Sequence, residues 1–203
     1  YHKVVRKALE RLVPFLQAEY GVQKWHIAVD DTPLVERALA AQARLASLGA
    51  NCAAYVPPYG SWVFLGELLV DVELPAMPGT ASPLPCEECG YRCVKACPTN
   101  ALVAPGIIDA RRCLSYLTQK TDSIPLKFRP KLGSRLWGCD TCQAVCPLNK
   151  AAAQSARAEF TPLVDPQFSL LDLLAMDNAG FKEAFGETSI AWRGKNVLQR
   201  NAC

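Results

Sequence analysis

Eight of the ten cysteines in this 203-residue sequence fall into two groups whose spacing is that of metal ligands. The first runs Cys86-x2-Cys89-x3-Cys93-x3-Cys97-Pro98; the second runs Cys139-x2-Cys142-x3-Cys146-Pro147, with Cys113 upstream. Close spacing lets one loop wrap three thiolates around an iron–sulfur cube, while the remote Cys followed by Pro completes the neighbouring cube, as in two-cluster ferredoxins. Crossed in this way, Cys86, Cys89 and Cys93 join Cys146, and Cys113, Cys139 and Cys142 join Cys97. The eight thiolates then divide into two complete sets, for two [4Fe-4S] clusters; Cys52 and Cys203 are left over. Paired C-x2-C motifs also suit tetrahedral zinc, although zinc needs neither a third close Cys nor a Pro after the fourth. The gap from Cys89 to Cys93 is three residues where the bacterial run has two. Cys89 is the ligand most affected by that irregularity.

The elements that must position these thiols can be read from periodicity. Val5, Leu9, Leu12, Val13 and Leu16 recur at helical spacing among basic residues, which predicts an amphipathic helix over 3–18. Residues 25–29 read as a strand. Asp31 or Thr32 is placed to cap a helix that holds Pro33 in its first turn, continues to about Leu48 and ends at Gly49. Residues 52–56 and 61–72 read as strands around Pro57-Pro58-Tyr59-Gly60, so the order suggests an α/β layer. Pro75, Pro78, Pro83 and Pro85 then break the chain and place a domain boundary in 74–85. Short helices are expected over 168–187.

Charge and cysteine usage limit the class. Seven Lys/Arg residues between Arg111 and Arg135 face one acid, Asp122, a balance suited either to a polyanion or to an ordinary solvated loop. The longest apolar stretch, 63–72, is interrupted by Glu67 and Asp71 and is too short to span a bilayer. Grouped thiols without a visible export signal point to a reducing, cytoplasmic setting rather than a disulfide scaffold.

Several longer stretches carry a family resemblance. Asp109-Ala-Arg-Arg-Cys113-Leu-Ser-Tyr-Leu-Thr118, Gly133-Ser-Arg-Leu-Trp-Gly-Cys-Asp-Thr-Cys142, Tyr59-Gly-Ser-Trp-Val-Phe-Leu-Gly-Glu67 and Leu198-Gln-Arg-Asn-Ala202 resemble the epoxyqueuosine reductases over nearly the whole chain. The resemblance implies a monomeric tRNA-modifying oxidoreductase that carries cobalamin besides its clusters and takes electrons from an external donor. It implies an α+β fold: a partial α/β cobalamin-binding domain (1–80), a ferredoxin-like two-cluster module (81–150) and a helical C-terminal segment (151–203). The family's Val-Asp-x-x-Pro segment falls on Val29 to Pro33, which makes Asp30 the implied proton donor to the departing epoxide oxygen. The residues alone favour the plainer reading that Asp30 helps to cap the next helix, and leave open that Asp31 is the relevant acid. Asn51, Ser115, Asp140 and Thr141 are implied to face the corrin, and Arg129, Lys131 and Arg135 to hold tRNA phosphates. Neither His2 nor His26 lies in an Asp-x-His-x-x-Gly motif, and His26 is expected to be structural. A Gly-rich stretch typical of the family reads Ala46-Ser-Leu-Gly49-Ala50-Asn51 here. With Tyr at its first position, the chain is expected to be a core fragment or a truncated member. Two rivals remain: a non-catalytic iron–sulfur electron carrier, and another corrinoid reductase related to the reductive dehalogenases.

Overall fold

The computed structural model describes residues 1–76, 78–165 and 168–203. Residue 77 of the expected linker and residues 166–167 of the C-terminal segment lie outside it. Two helices open the chain, α1 (His2–Glu10) and α2 (Val13–Tyr20), where one had been predicted. Pro14 explains the break: its ring occupies the space of the Glu10 carbonyl and it has no N–H to continue a ladder, so it is tolerated only in a first turn. Gly21, at φ 70°, closes α2 with its N–H on the Gln17 carbonyl, 3.1 Å away.

β1 (Trp25–Ala28) agrees with the expected strand, and its Ile27, Ala28 and the following Val29 are buried. The next helix, α3 (Glu36–Gln42), begins three to four residues later than expected and has no side-chain cap. The intended caps are engaged elsewhere: Asp31 Oδ1 accepts the Val29 N–H at 2.9 Å, and Thr32 Oγ1 accepts that of Leu34 at 3.4 Å. These local turns compete with helix for the same backbone groups. The predicted helical tail instead becomes β2 (Ser47–Leu48), which pairs with β3 (Ala54–Tyr55) over a small core of Ala40, Ala46 and Ala54. Of the strand expected over 61–72 only β4 (Glu67–Val70) forms, antiparallel to β1 with Ala28 opposite Glu67. Every ladder in the described residues is antiparallel.

The proline-rich segment carries no regular element among its described residues, yet it is laid down firmly. Ala81 N–H bonds the Arg44 carbonyl at 2.8 Å, and Ser47 Oγ donates to the Ser82 carbonyl. Beyond it come α4 (Arg92–Ala96), the ribbon of β5 (Leu102–Ala104) and β6 (Ile107–Ile108), α5 (Leu114–Gln119), α6 (Arg129–Leu132), α7 (Thr141–Ala144) and α8 (Pro147–Lys150). Pro147 opens α8, where its missing N–H costs nothing. The expected C-terminal helices are α9 (Leu170–Ala175) and α10 (Asn178–Phe185), followed by α11 (Lys195–Ala202). Leu173, Phe181, Phe185 and Leu198 form their core and pack against Leu136 and Trp137 of the cysteine module.

Candidate functional site

The thiols of the second predicted set converge. Cys97, Cys113, Cys139 and Cys142 line one cavity, walled by Leu102, Ile108 and Leu114. Two backbone clamps hold its rims. Thr99 Oγ1 donates to the Arg112 carbonyl at 2.6 Å while the Arg112 guanidinium donates to the Thr99 carbonyl at 2.9 and 3.2 Å, tying the turn after Cys97 to the residue before Cys113. The fully buried Thr118 accepts the Gly138 N–H at 3.0 Å, fixing the approach to Cys139 against α5. Burial, then the neighbouring Cys139 and Cys113, push the Cys142 thiol up to about 11. Thiols so placed cannot ionise together without a compensating positive charge. At Cys97 burial also pushes upward, but the N–H groups of Leu102, Thr99 and Ala101 outweigh it and hold the thiol below its ordinary value. The Ala101 nitrogen lies 3.1 Å from that sulfur. A set of this kind fits an iron–sulfur cube, whose positive irons would lower all four thiols together.

The first set adjoins it. α4 packs on α7, and Cys93, which is buried, sits in a core with Cys86, Cys97 and Cys142. Burial raises the Cys93 thiol, and the charges of Cys146 and Cys86 raise it further. Cys89 is half-buried, its sulfur 3.2 Å from the Cys86 carbonyl, and both sulfurs act on the Tyr91 phenol. The extra residue before Cys93 is absorbed by two successive left-handed residues, Gly90 at φ 64° and Tyr91 at φ 54°. Cys93 and Cys142 also feel one another, so the two sets are neighbours. Among the described residues no three His, Cys, Asp or Glu side chains gather closely enough to hold a single metal ion.

Asp30 lies on a cleft of about 450 Å³ bordered by Tyr1, Leu34, Val35, Phe64 and Leu65. Its backbone is left-handed, at φ 54°, a region Asp tolerates better than most residues. That turn sends its carboxylate to the Tyr1 hydroxyl, which donates to Oδ2 at 2.6 Å, while its N–H bonds Glu36. Asp31 points the other way, with Arg6 Nη2 2.5 Å from Oδ2. Asp30 therefore caps no helix, and Asp31 is committed to the turn. Glu67 stands near Glu36 with Oε2 buried and without a partner; burial, then the Glu36 charge, hold its carboxyl above the usual range.

The other sequence candidates scatter. Asn51 is buried and spends its side chain on Tyr55 and on the Ala53 N–H. Thr141 lines the second cysteine cavity; Ser115 bonds Gln119, and Asp140 bonds Gln143. None of these four borders the Asp30 cleft. Arg129 and Lys131 are exposed, although Arg129 Nε donates to the Ile124 carbonyl. Arg135 is half-buried and donates to Thr141 Oγ1 at 2.8 Å. The sequence reading missed Thr99, Arg112, Thr118 and Tyr55, because their partners are set by tertiary contact. Thr118 and Tyr55, polar side chains buried at 0% and 5% exposure, are visible only once burial is known.

Residues 85–149 match the pattern of a 4Fe-4S double cluster binding domain. The epoxyqueuosine reductase of Bacillus subtilis (strain 168) is 42% identical over 205 residues, an alignment covering 100% of this chain and 52% of that protein. A crystal structure of epoxyqueuosine reductase with an epoxyqueuosine-modified tRNA-Tyr stem loop superposes with a TM-score of 0.90 at 42% identity, covering 100% of this chain and 53% of that one. A Bacillus subtilis structure of the enzyme with its catalytic aspartate loop swung out of the active site gives a TM-score of 0.87 at 41% identity over the same shares. The chain spans about half the length of the curated relatives it matches. Over that half of their length the chain is similar to the epoxyqueuosine reductases in both sequence and fold.

Proposed function

We propose that this chain supplies the redox core of an epoxyqueuosine reductase, passing electrons through two [4Fe-4S] clusters towards a cobalamin beside Asp30. The observation that carries this reading is the meeting of Cys97 with Cys113, Cys139 and Cys142 around one cavity, because it joins the remote Cys of one run to the thiols of the other. Removing an epoxide oxygen as water consumes a pair of electrons and a pair of protons. The adjoining cysteine sets offer the electron route, and an external donor fills it. Cobalamin, when bound, supplies a low-valent cobalt centre able to act on the epoxide. What supports a corrin there is the lining: Leu34, Val35, Phe64 and Leu65 give apolar walls, Glu36 and Arg37 give charged ones, and Asp30 stands at the edge. Asp30 holds and delivers a proton to the departing oxygen, and Tyr1 Oη, donating to Asp30 Oδ2, orients that carboxyl.

The substrate would be tRNA carrying epoxyqueuosine, with exposed Arg129 and Lys131 contributing phosphate contacts. Arg135 is less available for this role. Residues 1–80 would serve the corrin, 81–150 the clusters and 151–203 the support of the cluster module. The test is anaerobic reconstitution with iron, sulfide and cobalamin, followed by reductant and epoxyqueuosine tRNA. Queuosine is the expected product; a protein with its iron in place that forms none contradicts the reading. One observation favours an electron carrier instead: Ser115, Asp140 and Thr141 lie off the Asp30 cleft. A carrier would show cluster absorbance and no change on titration with cobalamin.

A further inference from the structure

Beside the Asp30 cleft, and separated from it by one pair of rings, lies a second cavity of about 520 Å³ that the redox reading leaves unused. Phe64 borders the first cleft and Phe160 the second, and their rings stack with centroids 5.6 Å apart. The chain alternates between the two: Ser61 and Val63 border the acid cleft, while Trp62 borders the other. Trp62 is 47% exposed, so its indole is left open to the cavity rather than spent on a core.

The walls of this cavity are fixed. Asn149 Oδ1 accepts the Ser61 N–H at 2.9 Å, and its Nδ2 donates to Ser61 Oγ at 2.8 Å. Gly60, at φ 60°, comes so near that an added Cβ would stand 2.2 Å from that Oδ1. On the far side the Ala153 N–H bonds the Pro58 carbonyl at 3.0 Å. The charge on the walls has one sign: Lys150 and Arg157 line them, and none of the described lining residues is acidic. Arg157 Nη1 is 3.9 Å from Glu159 Oε1, too long for a hydrogen bond, and both side chains are about half exposed. Arg157 also lines a smaller cavity with Lys7, Arg11 and Glu159, so cations continue from the pocket on to α1.

An open indole beside cations suits an unstacked base and its phosphate, since every base offers a π-face and every phosphate a charge. We propose that this cavity takes a nucleotide next to epoxyqueuosine in the anticodon loop, its base stacked on Trp62 and its phosphate held by Lys150 and Arg157. A base acted on in the Asp30 cleft has to leave its stack. Its neighbour in the strand then loses a stacking partner, and Trp62 replaces it one ring pair away. The inference rests on the tRNA reading above and deepens it.

The test measures binding of anticodon stem loops to the anaerobically reconstituted chain. One loop is intact and carries epoxyqueuosine; two others carry an abasic residue on its 5′ or its 3′ side. One of the abasic loops should bind the parent about 5- to 100-fold more weakly than the intact loop. Trp62→Ala should lose a similar factor with the intact loop and little more with that abasic loop, because ring and base share one contact. Trp62→Phe should recover part of the loss. Arg157→Ala should lower the slope of log affinity against log salt by about 1. Equal affinity of the parent for all three loops overturns the proposal, however the Trp62 variants fold. So do losses from Trp62→Ala and the abasic residue that simply add. A parent that binds none of the loops defeats the tRNA reading together with the proposal, whereas one that binds all three alike defeats the proposal alone.

Discussion

Asp30 and Asp31 are adjacent carboxylates with separate duties. Left-handed backbone at Asp30 turns its side chain to the cleft and Tyr1, while Asp31 is bound to Val29 N–H and Arg6. Asp30→Asn keeps the volume and removes the proton that the proposed mechanism assigns to this carboxyl, so on that proposal queuosine formation falls on the order of 10²–10⁴-fold with iron content unchanged. Full turnover by that variant, measured as product in tRNA, would remove Asp30 from the chemistry. At Asp31 the Val29 N–H and the Arg6 charge outweigh desolvation and hold the carboxyl below its ordinary range. Its contribution to stability is then present above the unfolded value of about 4 and lost as pH falls through the depressed folded value. Thermal unfolding of Asp31→Asn should show a deficit at neutral pH that closes as the solution is acidified. The segment Val29 to Pro33 advertised a useful acid, but only the backbone angle at Asp30 decides which carboxylate faces the cleft.

The terminal helix α11 shows why some elements were readable and others were not. The motif Leu198-Gln-Arg-Asn-Ala202 stands out in the sequence, yet its partners lie far away along the chain. Arg200 donates to the carbonyls of Leu117, Thr118, Lys120 and Asp122, and Asn201 Nδ2 to those of Thr118 and Leu136. Gln199 does the same for Leu173, Leu174 and Met176. The helix is a row of donors closing the open carbonyls behind the cluster module. Leu198, fully buried beneath it, anchors the row, and Leu198→Ala should cost about 2–5 kcal/mol in denaturant unfolding. A change within a few tenths of a kcal/mol would show that the helix does not pack as described. Cysteine spacing was legible because ligand geometry constrains it directly. Helix limits were not, since Pro14 and the turns at Asp31 and Thr32 redirect backbone bonds that periodicity cannot see.

At the scale of the whole molecule, the boundary expected around 74–85 is a seam crossed by packing. Ala50 and Cys52 share a core with Cys86, Cys93 and Cys142, and Ser61 is tied to Gln143 and Asn149. The acid cleft and the thiol sets are therefore held by one network, as electron delivery to a site near Asp30 would require. Surface charge belongs to the same scale. Replacing Arg129 and Lys131 together by Ala should weaken tRNA binding and flatten its salt dependence, each phosphate contact adding about 1 to the slope of log affinity against log salt. An unchanged affinity and slope would contradict the proposed tRNA contact. The central claim, that eight thiolates divide into two four-sulfur sets, is met most directly by counting iron, acid-labile sulfide and zinc in anaerobically reconstituted protein. About eight irons and eight sulfides per chain are expected; zinc in their place, or about four irons, would contradict it.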